Sequence, residues 1–416
     1  MLVIIAIASV IANTGWRVVM NNFAVDTVGM TGADVGVLQS VREIPGLLSF
    51  TVLFVLFITS EQRVAVLSVA TLGLGVAVTG YLPSIYGFYF STTIMSIGFH
   101  YLEAVNKSLS TQLLATENFS ESMGKIRSAA SFFSMVTFLG IMVASYLFDV
   151  SDKAIFFTCG AICFWLAVYL ATFQDTHTEV KQHTKLIVRR EYTTYYILTF
   201  LSGARRQIFV AFAGLLMVTK FQYSIAMMAA LFMVSSLAAT LALPYVGRFI
   251  DRVGERLALI IEYAALVLVF LSYAFVDDHY AAAALYVIDS IIFSFALALN
   301  TYFKKTIRED EVASTASLSF TINHIAAVFL PFLLGIIWMS GYQWVFVTGA
   351  VIALISLFVS LTMGTSFISE LMDSIGYRTN SDTHLSDWSF PIVRVTKAVH
   401  LTLMKALKLG AVVIKR

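Results

Sequence analysis

The chain has 416 residues, of which 59% are hydrophobic and only 12% charged, with a mean hydropathy of +0.84. A soluble domain of that composition would expose apolar patches and aggregate, which excludes water-soluble fold classes. The net charge of +2 is uninformative, because placement matters more than the sum when helices cross a membrane.

The hydrocarbon layer of a bilayer is about 30 Å thick and takes about 20 apolar residues per helix. Breaks in hydropathy delimit six such stretches near 2–25, 34–59, 63–82, 85–106, 127–149 and 153–173. Six more follow near 194–218, 224–247, 256–275, 281–303, 312–338 and 343–366, echoing the first set at an offset of about 190 residues. The predicted fold class is all-α integral membrane, with 12 transmembrane helices in two pseudo-symmetric six-helix bundles. The bundles are expected at 1–173 and 193–367, joined by a cytoplasmic linker at 174–192 and followed by a cytoplasmic tail at 368–416. Within the tail, Arg394, Lys397, Lys405 and Lys408 recur at roughly helical spacing among apolar residues, which reads as a basic amphipathic helix on the inner leaflet.

The first stretch starts close to Met1, lacks a basic leader and a small-residue cleavage site, and carries Arg17, so it reads as a retained helix. With the N-terminus inside, one side of the membrane collects Arg63, Lys107, Lys125, Arg127, the basic residues of the linker, Arg248, Arg252, Arg256, Lys304, Lys305 and Arg308. The other side holds only Lys153 and Lys220, so both termini are expected in the cytoplasm of a bacterial inner (plasma) membrane. Cys159 and Cys163, four residues apart in an apolar stretch, read as packing residues and imply no disulfide or metal.

Between the eighth and ninth stretches lies Gly247-Arg248-Phe249-Ile250-Asp251-Arg252-Val253-Gly254-Glu255-Arg256. Gly247 would allow two helix ends to approach, Gly254 would permit a turn with positive φ, and Asp251 suits a neighbouring helix N-terminus. This segment resembles the G-x-x-x-D-R-x-G-x-R loop of the major facilitator superfamily. With the 6+6 duplication, the resemblance spans about residues 1–366 and implies alternating access about a central site. In that family the loop acts as a latch, so Gly247, Asp251, Arg252, Gly254 and Arg256 are the expected gating residues. The matching loop of the first half, Phe54 to Arg63, lacks both glycines and the aspartate, which predicts a one-sided latch.

Function is sought among charges that a membrane penalises by about 2.5 kcal/mol or more each. Arg17, Arg42, Arg205 and Arg206 lie within stretches, and Arg17 and Arg205 occupy equivalent points of the first and seventh. Facing each other, they would form an anion clamp suited to phosphate or carboxylate oxygens. The pair is similar in position to that of organophosphate–phosphate antiporters, and Arg42 to an arginine of nitrate porters. The competing reading pairs each arginine internally, Arg42 with Glu43. Arg206, about 100° from Arg205 around a helix, is expected to make a structural pair or to face another helix. Asn13, Arg17 and Asn21 share a face with Trp16 beside it, and Gln39, Arg42 and Glu43 form a second polar stripe. The expected substrate-binding residues are Arg17, Arg42, Arg205, Asn13, Asn21, Trp16 and Gln39.

Glu43, Glu103, His100 and Asp289 are the expected proton-coupling groups, with His324 ranked behind them. No nucleotide-binding loop, metalloprotease helix or soluble ATPase domain is present in the sequence, so neither an enzyme nor a nucleotide-driven pump is expected. No cofactor, metal or nucleic-acid partner is expected. The expected partners are an anionic small molecule, a proton or counter-anion, and the lipid bilayer, around a monomer. Two alternatives stand beside this anion transporter: proton-coupled efflux of amphiphilic or cationic compounds, and a non-transporting sensor or assembly protein that retains the fold.

Overall fold

A computed structural model describes residues 1–114, 119–173, 189–308 and 311–363. The predicted tail and most of the predicted linker lie outside the described residues. Where hydrocarbon offers no partner to a backbone N–H or C=O, a continuous apolar run satisfies its own backbone only as a helix. The chain follows that rule through α1 (Leu2–Asn22), α2 (Gly32–Leu47), α3 (Val52–Leu56), α4 (Glu61–Thr79), α5 (Ile85–Leu113), α6 (Phe119–Phe148) and α7 (Asp152–Leu170). The second half continues with α8 (Thr193–Gln207), α9 (Gly214–Thr219), α10 (Ile225–Val253), α11 (Glu255–Phe275), α12 (His279–Phe293), α13 (Ala296–Thr306), α14 (Val312–Trp338) and α15 (Tyr342–Leu361).

Connections supply the helix starts. The side chains of Thr31, Ser60, Ser84, Ser151, Ser224 and Asp278 each accept a hydrogen bond from a backbone N–H in the first turn that follows. Thr31 and Asp34 close a reciprocal capping box. Among the described residues, ten helices are long and apolar enough to cross a membrane, and eleven if α2 and the segment Ser49–Leu56, bent by 41°, form one span. The predicted fourth span, α5, is 29 residues long but is not among them. Its His100, Glu103, Asn106 and Lys107 lower its apolar content, and twelve crossings are reached only by counting it. Three helices outrun their apolar stretches, α5 ending at Leu113, α6 starting at Phe119 and α10 ending at Val253, because propagation of a formed helix is favourable into polar sequence.

Helices α1, α4, α5, α6 and α7 pack on one another, as do α8, α11, α13, α14 and α15, with α10 against α12. Two seams join the halves, α2 against α14 and α6 against α10. The first seam is antiparallel and keeps a constant register. A Cβ on Gly32 would meet the Trp338 ring at 2.1 Å, one on Gly36 the Pro331 carbonyl oxygen at 2.4 Å, and one on Gly46 the His324 ring at 2.3 Å. Tight packing therefore runs over about 21 Å, at 1.5 Å per residue, with backbone against backbone where Gly32 and Gly36 face Gly335 and side-chain rings against Gly46. Just past Gly46 the chain bends and the seam ends. At its other end, Asn22 Nδ2 donates to the Tyr223 carbonyl across the halves at 2.8 Å, and Phe212 stacks on Trp338 at 5.6 Å.

The loop expected to act as a latch is only partly as the sequence suggests. Gly254 has φ +83°, the left-handed turn that glycine tolerates. A Cβ on Gly247 would meet no backbone of another helix and only a Leu297 methyl, at 3.7 Å, so the close helix approach expected there is corrected. Asp251 and Arg252 are exposed. Arg256 Nη2 donates to the last carbonyl of α15, Leu361, at 2.5 Å, satisfying an orphan acceptor at a negative helix end. Glu255 beside it pairs with Lys305 at 2.6 Å. The first half carries a counterpart despite its missing glycines: Glu61 accepts from Ser108 at 3.0 Å and from Gln112 at 2.8 Å. These contacts tie α4 to α5 at the place that Glu255 and Lys305 occupy in the second half, although the first-half loop lacks both glycines and the aspartate.

Candidate functional site

At the Gly46 end of the α2–α14 seam, polar side chains from both halves converge. Arg42 Nη2 lies 2.6 Å from Glu43 Oε1, with its Nε on the same oxygen at 3.2 Å, and its guanidinium sits 5.8 Å from the Trp16 ring. Glu43 Oε2 faces His324 Nε2 at 3.8 Å. His100, from α5, stands edge-on to His324 with ring centroids 5.2 Å apart, and its Nδ1 is 3.5 Å from Glu103. Arg206, from α8, is within electrostatic reach of Glu43, Arg42 and Glu103. Glu43, His100 and His324 are buried, whereas half of the Glu103 side chain is exposed. Two arginines, two glutamates and two histidines from α2, α5, α8 and α14 therefore share one place between the halves.

Arg17 and Arg205 do not form the predicted clamp. Arg205 is buried in the second half with Nη1 2.7 Å from Glu262 Oε1. Its guanidinium lies 5.9 and 5.5 Å from the Tyr263 and Phe293 rings. Asp289, also buried, lies within electrostatic reach of both Arg205 and Glu262. The ion pair is imperfectly aligned: neither the Arg205 nitrogens nor the Glu262 oxygens make a hydrogen bond with suitable geometry. Arg17, by contrast, is exposed although it lies well inside α1, and its guanidinium packs 4.9 Å from the Phe232 ring of the other half. An exposed mid-helix arginine that touches the opposite half faces the space between halves.

The remaining predicted residues line the same region unevenly. Asn13 is half-buried; Trp16, Asn21 and Gln39 are buried, and Trp16 Nε1, Asn21 Oδ1 and Gln39 Oε1 have no hydrogen-bond partner. Gln39 Nε2 reaches only the Met20 sulfur, at 3.7 Å. Gln207, next to Arg206, is buried with both amide atoms unpartnered. Just beyond these groups the backbone loosens into π-helix at matching places of the two halves, Phe23–Thr27 and Ile208–Ala213. Such segments concentrate at functional sites.

Sequence reasoning missed or demoted three members. The sequence places Arg205, not Arg206, at the binding site, yet Arg206 faces α2 and α5 in the interfacial cluster and Arg205 is paired with Glu262. His324 was ranked behind other titratable groups, and Glu262 was not singled out, although a lone acid in the apolar run Leu259 to Leu266 is a signal by itself.

The second half matches the family model of the Major Facilitator Superfamily over residues 195–369. No curated protein matches the chain. Among solved structures, the nucleoside transporter NupG is similar at 15% identity and a TM-score of 0.72, covering 87% of this chain and 98% of that one. A bacterial homolog of the human lysosomal transporter Spinster, in an inward-facing and occupied conformation, is similar at 13% identity and a TM-score of 0.69. It covers 89% of this chain and 95% of that one. The match over the second half, with the helix arrangement of the whole, identifies the chain as an integral membrane protein of the Major Facilitator Superfamily fold, its branch unassigned.

Proposed function

We propose that the protein is a secondary transporter that moves a small anionic solute, of organic-anion, phosphate or carboxylate type, by alternating access. The observation that carries this reading is the convergence of Arg42 and Arg206 from opposite halves, with exposed Arg17 nearby. Only one full carboxylate partner, Glu43, is held close to Arg42, which leaves the Arg206 fork to bind oxygen atoms of a ligand. A solute bridging arginines of both halves would favour closure around itself, which is the differential binding that alternating access requires.

Coupling to a proton or counter-anion is proposed at Arg205, Glu262 and Asp289. Two buried carboxylates face one guanidinium, and a second unpaired charge in that environment is expensive, so the set is neutral only with a proton aboard. Glu43, Glu103 and His100 belong to the solute cluster in this reading. The distribution of Lys and Arg supports cytoplasmic termini and an opening of the interfacial space towards the cytoplasm, since the tight seam ends at Gly46.

A second reading, a neutral polar solute such as a nucleoside, is favoured by the unpartnered amides of Gln39 and Gln207 and the unpartnered Trp16 indole. Thermal stabilisation of the purified protein by phosphates, carboxylates, nucleosides and lipophilic cations separates these readings. Stabilisation by one anion class that disappears in Arg206→Ala and Arg42→Ala is expected. Stabilisation by nucleosides that survives both substitutions would select the second reading, and a response to cations alone would select efflux.

A further inference from the structure

We propose that Glu43, His100 and His324 form a site for a divalent first-row transition metal ion, whose occupancy pins the two halves together. One donor atom from each residue lies within 4.8 Å of the others, and all three residues are buried. Two imidazoles and a carboxylate are a donor set suited to Zn2+ and its neighbours.

Two further observations point to a cation. His324 Nδ1 hydrogen-bonds the Phe320 carbonyl at 2.9 Å, and a carbonyl can only accept, so Nδ1 carries the hydrogen and a neutral ring presents the Nε2 lone pair. That lone pair faces Glu43 Oε2 at 3.8 Å, acceptor against acceptor, an arrangement that a positive ion between them would relieve. His100, buried beside them, makes no well-formed hydrogen bond through Nδ1, whose nearest carboxylate is Glu103 at 3.5 Å. The Phe320 carbonyl and Arg42, which holds Glu43 Oε1, then serve as the outer groups that orient metal ligands.

Charge and size are compatible. With neutral imidazoles, Glu43 and Glu103 balance Arg42 and Arg206, so the ion enters a neutral rather than a repelling environment. A tetrahedral ion with bonds of about 2.0–2.1 Å needs donors about 3.4 Å apart, so the three groups must close by up to about 1.4 Å. Side-chain rotation supplies that on α5 and α14, and a fourth position remains for water.

Position gives the ion its consequence. Glu43 and His100 belong to the first half and His324 to the second, at the Gly46 end of the seam that begins at Gly32 and Trp338. Any conformational exchange that separates α2 from α14 must break the site, so a bound ion would hold the protein in this conformation.

Purified protein without an affinity tag rich in histidine is titrated with Zn2+ by calorimetry and with Co2+ by visible absorption, alongside His324→Gln and His100→Gln. One Zn2+ per chain is expected, with a Co2+ spectrum of low coordination number. Each variant should weaken binding by at least about 100-fold, more than loss of an outer group costs. Elution as a monodisperse species and an unchanged helical spectrum establish that a variant is folded. Where one variant fails to fold, the other variant and the wild-type Co2+ spectrum decide. Absence of stoichiometric binding by the wild type, or equal binding by a folded variant, overturns the proposal.

Discussion

Arg205 and Arg206 are adjacent in sequence and lie in different environments. Their side chains leave the helix about 100° apart, which turns one into the second half and the other towards the first. Arg205→Ala leaves Glu262 buried without its cation and should cost about 3–5 kcal/mol of stability, read as a large fall in the thermal midpoint. Arg206→Ala removes a group whose neighbouring acids, Glu43 and Glu103, lie on the other half, where Glu43 keeps Arg42 as a partner, so the midpoint should fall less than for Arg205→Ala while solute-induced stabilisation is lost. Equal destabilisation by the two substitutions would assign Arg206 a structural role. The sequence showed that both arginines were costly, and therefore retained for a reason. It could not show which one faces the interface, because about 100° of helix phase decides that.

At the scale of elements, the α2–α14 seam depends on backbone meeting backbone. Gly36→Val places a side chain against the Pro331 carbonyl, which cannot move aside as a flexible side chain would. The substitution should open the seam end near Gly32 and shift the population towards the alternative conformation, measured as an increased spin-label distance between the Gly32 end of α2 and the Trp338 end of α14. An unchanged distance distribution would show that closure does not depend on that contact. The linker end attaches by a different means. Arg189 Nε donates to Glu311 Oε1 at 2.5 Å and the Tyr192 hydroxyl donates to Oε2 at 2.7 Å, just before α14 begins. The hydrogen bond from Arg189 holds the Glu311 carboxyl below its ordinary value. A lowered carboxylate contributes stability above its unfolded value, near pH 4, and loses it as pH falls through the folded value. The wild type should therefore exceed Glu311→Gln in thermal midpoint at pH 7, and the gap should narrow below about pH 4. A gap that persists at low pH would mean that the ionised carboxylate is not what holds the linker.

For the whole molecule, membrane orientation and opening are linked. If the Gly32 end faces outwards, a membrane-impermeant maleimide should label Tyr280→Cys from outside intact cells and Asp251→Cys only after permeabilisation. Both positions are exposed, and the native Cys159 and Cys163 are buried, so background reaction is low. Reversed labelling would invert the proposed direction of opening. The same reporters can be read with solute present, since a transporter that alternates should change accessibility near the Gly46 end of the seam without exchanging its sides.

Hydropathy and charge alone determined the helical membrane class, the duplication and the approximate spans, because burying an unpaired backbone in hydrocarbon is so costly that any long apolar run must be a helix. Helix caps and the Gly254 turn were likewise legible, being local properties of a few adjacent residues. The site was legible only in part. Arg42, Glu43 and His100 stood out as charges and polar groups inside apolar runs, but their meeting with His324 and Arg206 did not. Those residues come from α2, α5, α8 and α14, separated by up to hundreds of positions in the chain, and only the packing of one half against the other sets their distances. The tertiary structure also decided that Glu262 claims Arg205. A charge in a membrane must find a partner, and the sequence states the need while the fold chooses which partner meets it.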